Sequence, residues 1–382
     1  MKRNPVLDQL GSYPISVLQE KARAMRARGE FVVDFSIGDP REPTPPPIRE
    51  ALREAIPVVS QYPTVPGLAE LRRAVADYAR RRFGVEVDPD TQVLPTSGSK
   101  EAVFSTPLAL VTAGTGQAMV FGTPGYPVYE RGSRFAGADA VGIRLTGDFV
   151  LRAGDIPAEV WARAAGVWIC SPHNPTGSIT DSADLADLIA ACREHDALLL
   201  SDECYCDLYD DEAPPSALQV AGPGYRNVLS YLSLSKRSGM TGYRSGAIVG
   251  DAAAIAALLD LRSSVGVGSP EFIQAAAAAA WSDDAHAVER RGIFKAKRVV
   301  LRRALEDLGY EVVGSRAAIY LWVKVDDDLA ITERLLEHGV VVSPGRIFGE
   351  GGEGFIRFAL VPTLEETRQA VEVLAKCLSP AS

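Results

Sequence analysis

The stretch "SLSKRSGMTGYRSG" (residues 233–246) puts two hydroxyls, Ser233 and Ser235, and two cations, Lys236 and Arg244, in a glycine-rich turn after the apolar run "NVLSYL". Such a turn suits an anion with an amine beside it. Hydroxyls and a planar guanidinium hold an anion through directed hydrogen bonds. A lysine that loses water next to another cation loses basicity, and its neutral amine can then attack a carbonyl. Further candidates stand after other apolar runs. Ser171-Pro172-His173-Asn174-Pro175-Thr176-Gly177 follows "AAGVWIC", and Asp202, Glu203 and Tyr205 follow "ALLLS". Ser97, Gly98, Ser99 and Lys100 follow "VLPT", and Tyr126 follows "AMVFG".

These residues have complementary uses if the ligand is an aromatic phosphate bearing a carbonyl. A helix opening at Ser99 offers free backbone N–H groups to a phosphate. Gly98 lets the backbone approach closely, and Ser233, Ser235 and Arg244 add donors. A buried Asp202 can keep a pyridine nitrogen protonated, so that the ring draws electrons from a carbanion. Asn174 and Tyr205 can both bond a phenolic oxygen, and Tyr126 offers a face for stacking. His173 is expected to pack rather than catalyse.

The elements that must position these groups can be read from the same runs. Between about residues 90 and 250, "VLPT", "GQAMVFG", "AAGVWIC", "ALLLSDE", "NVLSYLS" and "RSGAIVG" alternate with helical stretches. That rhythm predicts a parallel sheet flanked by helices, with ligands at the carboxyl ends of the strands. "PTPPPIREALREAI" reads as a helix opened by prolines, and "GLAELRRAVADYARRRFG" as an amphipathic helix ended by glycine. A long helix over roughly 283–308 leads to "AAIYLWVKV", "ITERLLEHG", "VVVSPG", "GFIRFAL" and a last helix from about 363, a small α+β unit. At 382 residues two domains are expected. The division reads as 1–45 (an arm and part of the small domain), 46–285 (large, ligand-binding) and 286–382 (small).

Composition narrows the function class. The net charge of −9 disfavours nucleic acid and anionic membranes as partners. No run approaches the length of a transmembrane helix, and "MKRNPVLDQLGSYP" lacks the apolar core of a signal peptide, so a cytoplasmic protein is expected. The five cysteines are irregularly spaced, which argues against a disulfide framework, and four scattered histidines argue against a metal site or a histidine-based triad.

In order and spacing the motifs resemble the fold-type I, class I/II aminotransferases. "SPHNPTG" is similar to that family's Asn-Pro-x-Gly segment, "SDECY" to its Asp-x-x-Tyr, and "SLSKRSGMTGYRSG" to its Ser-x-Ser-Lys…Gly-x-Arg-x-Gly. Asn174 lies 28 residues before Asp202, Asp202 34 before Lys236, and Lys236 8 before Arg244. The resemblance runs from "IGDP" (37–40) to "IRFAL" (356–360). It implies an α/β fold: a large domain with a mostly parallel seven-stranded sheet between helices, plus a smaller α+β domain. It also implies pyridoxal 5′-phosphate as cofactor. Lys236 would bond the cofactor's carbonyl and shuttle the proton at the substrate Cα, and Asp202 would pair with the ring nitrogen. Asn174 and Tyr205 would bind the ring hydroxyl, with Tyr126 stacked on the ring. The backbone of Ser99 and Lys100, with Ser233, Ser235 and Arg244, would hold the phosphate. Tyr62 in "QYPTVPG" resembles a tyrosine that reaches the phosphate of a neighbouring subunit, implying a homodimer with shared sites. Arg357 would clamp the substrate α-carboxylate, with the backbone of Gly38 beside it.

Details such as "SKRS", "QYPTVPG" and "LDQLGSYP" resemble the N-succinyldiaminopimelate aminotransferases of lysine and cell-wall biosynthesis. That implies amino transfer between glutamate and N-succinyl-2-amino-6-oxopimelate, with Arg41, Arg237 or the loop 263–270 as anchors for a distal carboxylate. An aminotransferase for another amino acid, or a lyase, oxidase or cyclase on the same scaffold, shares the Asn–Asp–Lys set; consumption of a keto acid separates them. A non-enzymatic ligand-binding module is the remaining alternative. The family's regulators carry a DNA-binding helix-turn-helix ahead of this domain, whereas here only a short irregular segment precedes it.

Overall fold

The computed structural model describes residues 1–9 and 16–378; most of the motif "LDQLGSYP" lies outside them. In chain order the strands are β1 (Val33–Asp34), β2 (Val93–Thr96), β3 (Ala118–Thr123), β4 (Asp139–Arg144), β5 (Ala164–Cys170), β6 (Leu198–Asp202), β7 (Val228–Ser233), β8 (Gly246–Gly250), β9 (Val312–Val313), β10 (Tyr320–Lys324), β11 (Val340–Val341), β12 (Ser343–Pro344) and β13 (Phe355–Ala359).

Seven strands form one sheet in the order β2-β8-β7-β6-β5-β3-β4. From β7 through β6, β5 and β3 to β4 all pairings are parallel, and β8 runs antiparallel to both β2 and β7. Every residue of β7 and β8 is buried. Continuous apolar runs are what a sheet covered on both faces requires. One face is covered by helix Ala69–Phe83 and its neighbour Glu271–Ser282, locked by the Tyr78 ring 4.6 Å from that of Trp281. Gly84 ends the first of these helices at φ +69°, a left-handed cap that glycine adopts without strain. The sequence reading passed over β4. It is an edge strand whose residues alternate between exposed and half-buried, so "DAVGIR" never forms an apolar run.

Helix Ala285–Asp307 leads to a second sheet, β12-β13-β10-β9, in which β10 and β13 are antiparallel. β1 is far away in sequence yet pairs in parallel with β11. The two sheets share one hydrophobic cluster, in which Trp168 and Tyr231 join Leu305, Tyr320 and Phe358. No helix among the described residues is long and apolar enough to cross a membrane.

Candidate active site

The parallel strands β5, β6 and β7 end side by side. Cys170 stands opposite Asp202 in register, and Asp202 opposite Tyr231. Beyond these ends opens a cavity of about 360 Å³. It gathers residues far apart in sequence, from Gly38 to Arg357.

Strand alternation sorts the two carboxylates of "SDECY". Asp202 lines the cavity, whereas Glu203 takes hydrogen bonds from Ser201 Oγ (2.9 Å), Ser230 Oγ (3.0 Å) and the Ala217 amide (2.9 Å) on the buried side. Glu203 is therefore structural. Tyr129 OH donates to Asp202 Oδ2 at 2.8 Å, and the Cys204 amide to Oδ1 at 3.3 Å. Burial pushes the Asp202 carboxyl above its ordinary range, and these donors only partly offset it. Among the described residues no cation forms an ion pair with Asp202 within 4.0 Å.

Lys236 sits in the one-turn helix Leu234–Arg237 that follows β7, and its Nζ donates to the Gly38 carbonyl. Burial pushes its ammonium down to about 8; Arg244 and Arg357 add to the shift, while Asp39 and Cys204 oppose it. This is the lysine that the glycine-rich turn suggested, its basicity lowered chiefly by lost water.

Ser99 and Lys100 open helix Ser99–Leu110, whose first turn has no side-chain cap. Gly98 precedes it at φ +82°, and a Cβ there would collide with the Arg244 guanidinium. A glycine thus makes room for the cation at the helix N-terminus. Ser235 and Tyr126 line the same cavity. Ser233 does too; its Oγ accepts the Ser235 amide at 3.1 Å and so caps the short helix, while its hydroxyl proton can still be offered to a ligand. Burial lowers the Lys100 ammonium, with Arg244 and Arg131 contributing.

Across the cavity, Arg357 lies in β13, 5% exposed. Its Nη1 donates to Asn174 Oδ1 at 2.9 Å and its Nη2 to the Ser36 carbonyl at 2.7 Å. The guanidinium rests between the rings of Tyr320 (4.4 Å) and Phe348 (4.5 Å). Because Arg357 takes the amide oxygen of Asn174, the amide nitrogen is the end left to donate. Tyr205 shares a 2.7 Å hydrogen bond with Tyr320 OH.

Tyr62 is the exception: it is fully exposed and stands outside the cavity. The proposed distal anchors also lie elsewhere. Arg237 is buried, bonded to Asp207 (2.7 Å) and Asp284 (2.6 Å), and Arg41 pairs with Glu366 (2.8 Å). No residue of the loop 263–270 lines the cavity. His173 packs against Thr176 Oγ1, and burial lowers its imidazole to about 4. The sequence reading missed Tyr129, Ser36 and Tyr320. Tyr129 carried a faint signal, one helical turn after Tyr126 in "YPVY". Ser36 acts through its backbone and carried none.

The family described as "Aminotransferase class I and II" matches residues 30–374. The chain belongs to that family. An LL-diaminopimelate aminotransferase 2 of Nostoc sp. is 36% identical over 378 residues, 96% of each chain. Among solved structures, an aminotransferase of Neisseria meningitidis superposes with a TM-score of 0.91 at 32% identity, covering 98% of this chain and 100% of its own. A probable N-succinyldiaminopimelate aminotransferase of Thermus thermophilus gives 0.89 at 28% identity, covering 95% and 100%.

Aminotransferases of this family depend on pyridoxal 5′-phosphate, and the donor set of the cavity fits that group. Asp202 is a buried carboxylate with no paired cation, a costly arrangement that a protonated ring nitrogen would relieve. The uncapped helix N-terminus beside Arg244 suits a phosphate.

Proposed function

We propose that this aminotransferase moves an amino group from LL-diaminopimelate to 2-oxoglutarate. What carries the α-amino-acid part of this reading is the placement of Lys236 and Arg357 on one short backbone segment, Lys236 on the Gly38 carbonyl and Arg357 on the Ser36 carbonyl. An amine and a carboxylate-binding fork thus face each other across a single cavity. The identity of the amino acid rests on the relatives named LL-diaminopimelate aminotransferase. The tail of diaminopimelate ends in a zwitterion whose charges offset each other. A succinylated tail carries two carboxylates and no amine charge, yet Arg41 and Arg237 are engaged by carboxylates outside the cavity. The succinylated substrate is the second reading, favoured by the Thermus structure.

Bound pyridoxal phosphate supplies a carbonyl for the amino group and a ring that withdraws electrons from the substrate Cα. The chain's own residues bind, orient and move protons. Arg357 takes the α-carboxylate bidentately and so fixes the Cα, with the backbone of Gly38 alongside. Lys236 removes the proton from that carbon and later returns one as a general base and acid. Asp202, with one oxygen occupied by Tyr129, would hold the proton on the ring nitrogen. Tyr205 and the Asn174 amide would bind the ring oxygen, with Tyr126 against the ring. Ser99, Lys100, Ser233, Ser235 and Arg244 would hold the phosphate.

A second subunit completes the site in this reading. Tyr62 is fully exposed, and Ile56, Val58 and Val59 near it are 58%, 104% and 72% exposed, an apolar surface suited to burial against another copy. Sedimentation of the holoenzyme at the mass of one chain would sink this part. The division near residue 285 belongs to the same reading, and the β1–β11 pairing supports grouping 1–45 with 286–382.

The test is a titration of the cofactor-loaded protein. LL-diaminopimelate should bleach the visible band, and 2-oxoglutarate should restore it. Bleaching by the succinylated compound alone favours the second reading. A band that no amino donor moves defeats both.

A further inference from the structure

We propose that Tyr320 is a positioning residue that ties the carboxylate-binding fork to the ring-oxygen site, its hydroxyl serving one and its ring the other. The proposal rests on the cofactor roles given above for Tyr205 and Arg357.

Tyr320 opens β10, deep in the interior at 2% exposure, and it lines the cavity. It touches three groups at once. Its hydroxyl is 2.7 Å from that of Tyr205, and the two rings meet edge to face at 5.4 Å. The Arg357 guanidinium lies 4.4 Å from its ring centroid. A Cβ on Gly38 would stand 2.8 Å from its hydroxyl oxygen, so the phenol lies against the backbone that accepts Lys236.

Each contact has a physical consequence. Two phenols 2.7 Å apart share one hydrogen bond, so one of them donates to the other. Once a ligand oxygen takes the Tyr205 proton, the Tyr205 oxygen is free to accept from Tyr320. A chain of this kind polarises its members and strengthens the outer donor by roughly 10–30%. The Tyr320 ring holds Arg357 by its face and so fixes the plane of the guanidinium. The charged and titratable groups around the pair are Arg357 from β13, Asp202 and Cys170 from the ends of β6 and β5, and Lys236 across Gly38. Burial raises both phenols above their ordinary range, so neither titrates near neutral pH and a pH transition there reports on the bound ligand.

The experiment uses the cofactor-loaded enzyme and its Tyr320→Phe, Tyr320→Leu and Tyr205→Phe variants. Two readouts are taken: the pH midpoint of the visible band without substrate, and the steady-state constants for the amino donor. Tyr320→Phe should raise the midpoint, because one fewer donor stabilises negative charge on the ring oxygen, and by less than Tyr205→Phe does. It keeps the ring, so the KM for the donor should hold. Tyr320→Leu should raise that KM by up to about thirtyfold, the loss expected from an absent cation–π contact at a desolvated site. A folded Tyr320→Phe enzyme with the wild-type midpoint overturns the hydroxyl link, even if Tyr320→Leu fails to fold. An unchanged KM in a folded Tyr320→Leu enzyme overturns the ring's role. A wild-type protein that acquires no visible band defeats the cofactor reading itself, whereas a normal wild-type band with an unshifted variant defeats only this proposal.

Discussion

Asp207 makes the sharpest stability test. Its Oδ1 accepts from Arg82 Nε at 2.9 Å, and its Oδ2 from Arg237 Nε at 2.7 Å and from Tyr78 OH at 2.9 Å. Arg237 is 3% exposed and Tyr78 1%. The other carboxylate on Arg237 is Asp284, whose side chain is 46% exposed. Asp207→Asn keeps the shape and removes the charge, leaving Arg82 with no carboxylate among the described residues and Arg237 with only the half-solvated Asp284. Breaking a buried ion network in this way costs about 3–5 kcal/mol. At about 2.1 cal/mol/K per residue, a chain of 382 residues has an unfolding entropy near ~0.8 kcal/mol/K. The melting temperature should therefore fall by about 4–6 °C. The assay is a thermal melt of the holoenzyme at fixed protein and cofactor concentration, because both ligand and subunit association move the midpoint. Pairing Asp207→Leu with Arg237→Met should recover part of the loss, since an apolar pair can replace a buried ion pair. A drop under about 1 °C would refute the argument that this network is desolvated. Arg237→Met alone should lower the melting temperature without altering the choice between LL-diaminopimelate and its succinylated counterpart.

Three further outcomes follow from the site. Lys236→Ala should lower turnover about a thousandfold or more while cofactor can still bind, as single-turnover absorbance would show. In the cofactor-free protein Lys236 has a pKa of about 8. Only the neutral amine attacks a carbonyl, so the rate of cofactor capture should rise about tenfold per pH unit below that value and level off above it; stopped-flow traces with a flat profile would contradict the burial argument. Arg357→Lys keeps the charge but loses the fork, and kcat/KM for the amino donor should fall roughly 10- to 100-fold, the worth of one charge-assisted hydrogen bond.

Much of this architecture was legible in the sequence, and the reasons are local. β5, β6 and β7 are runs of apolar residues that end in polar ones, so each announces both a buried strand and its functional end. That is why Asn174, Asp202 and Lys236 could be picked out. What stayed hidden depends on long-range geometry. Arg237 sits beside Lys236 and looked available as an anchor, but the Ala280 carbonyl of helix Glu271–Ser282 and Asp284, 43 and 47 residues further on, enclose it. Tyr320 looks like an ordinary core residue of "AAIYLWVKV" until β13 brings Arg357 against its ring. Ser233 reads in sequence as a phosphate donor. Its Oγ also caps the next turn, and its hydroxyl still lines the cavity.

The segment from Ser36 to Thr44 explains why a site assembled from the whole chain holds together. The Ser36 carbonyl accepts from Arg357 and from Ser343 Oγ (2.9 Å), both in the small sheet. Two residues on, the Gly38 carbonyl accepts from Lys236, at the end of the large sheet. Further along, Glu42 bonds the buried Lys297, the Pro43 carbonyl takes Arg290 Nη2 at 2.9 Å, and Thr44 Oγ1 reaches the Gly239 carbonyl at 2.6 Å. Lys297 and Arg290 both belong to helix Ala285–Asp307, which joins the two sheets. One strap of nine residues is therefore fixed at its start to Arg357, at its third residue to Lys236, and at its end to the connecting helix and the loop after Lys236. A shift of the small sheet relative to the large one would also pull on this strap, and Gly38 is where such a shift would meet the amine. The position of Lys236 is thus set by contacts reaching from residue 36 to residue 357, although its chemistry is announced by a stretch of fourteen.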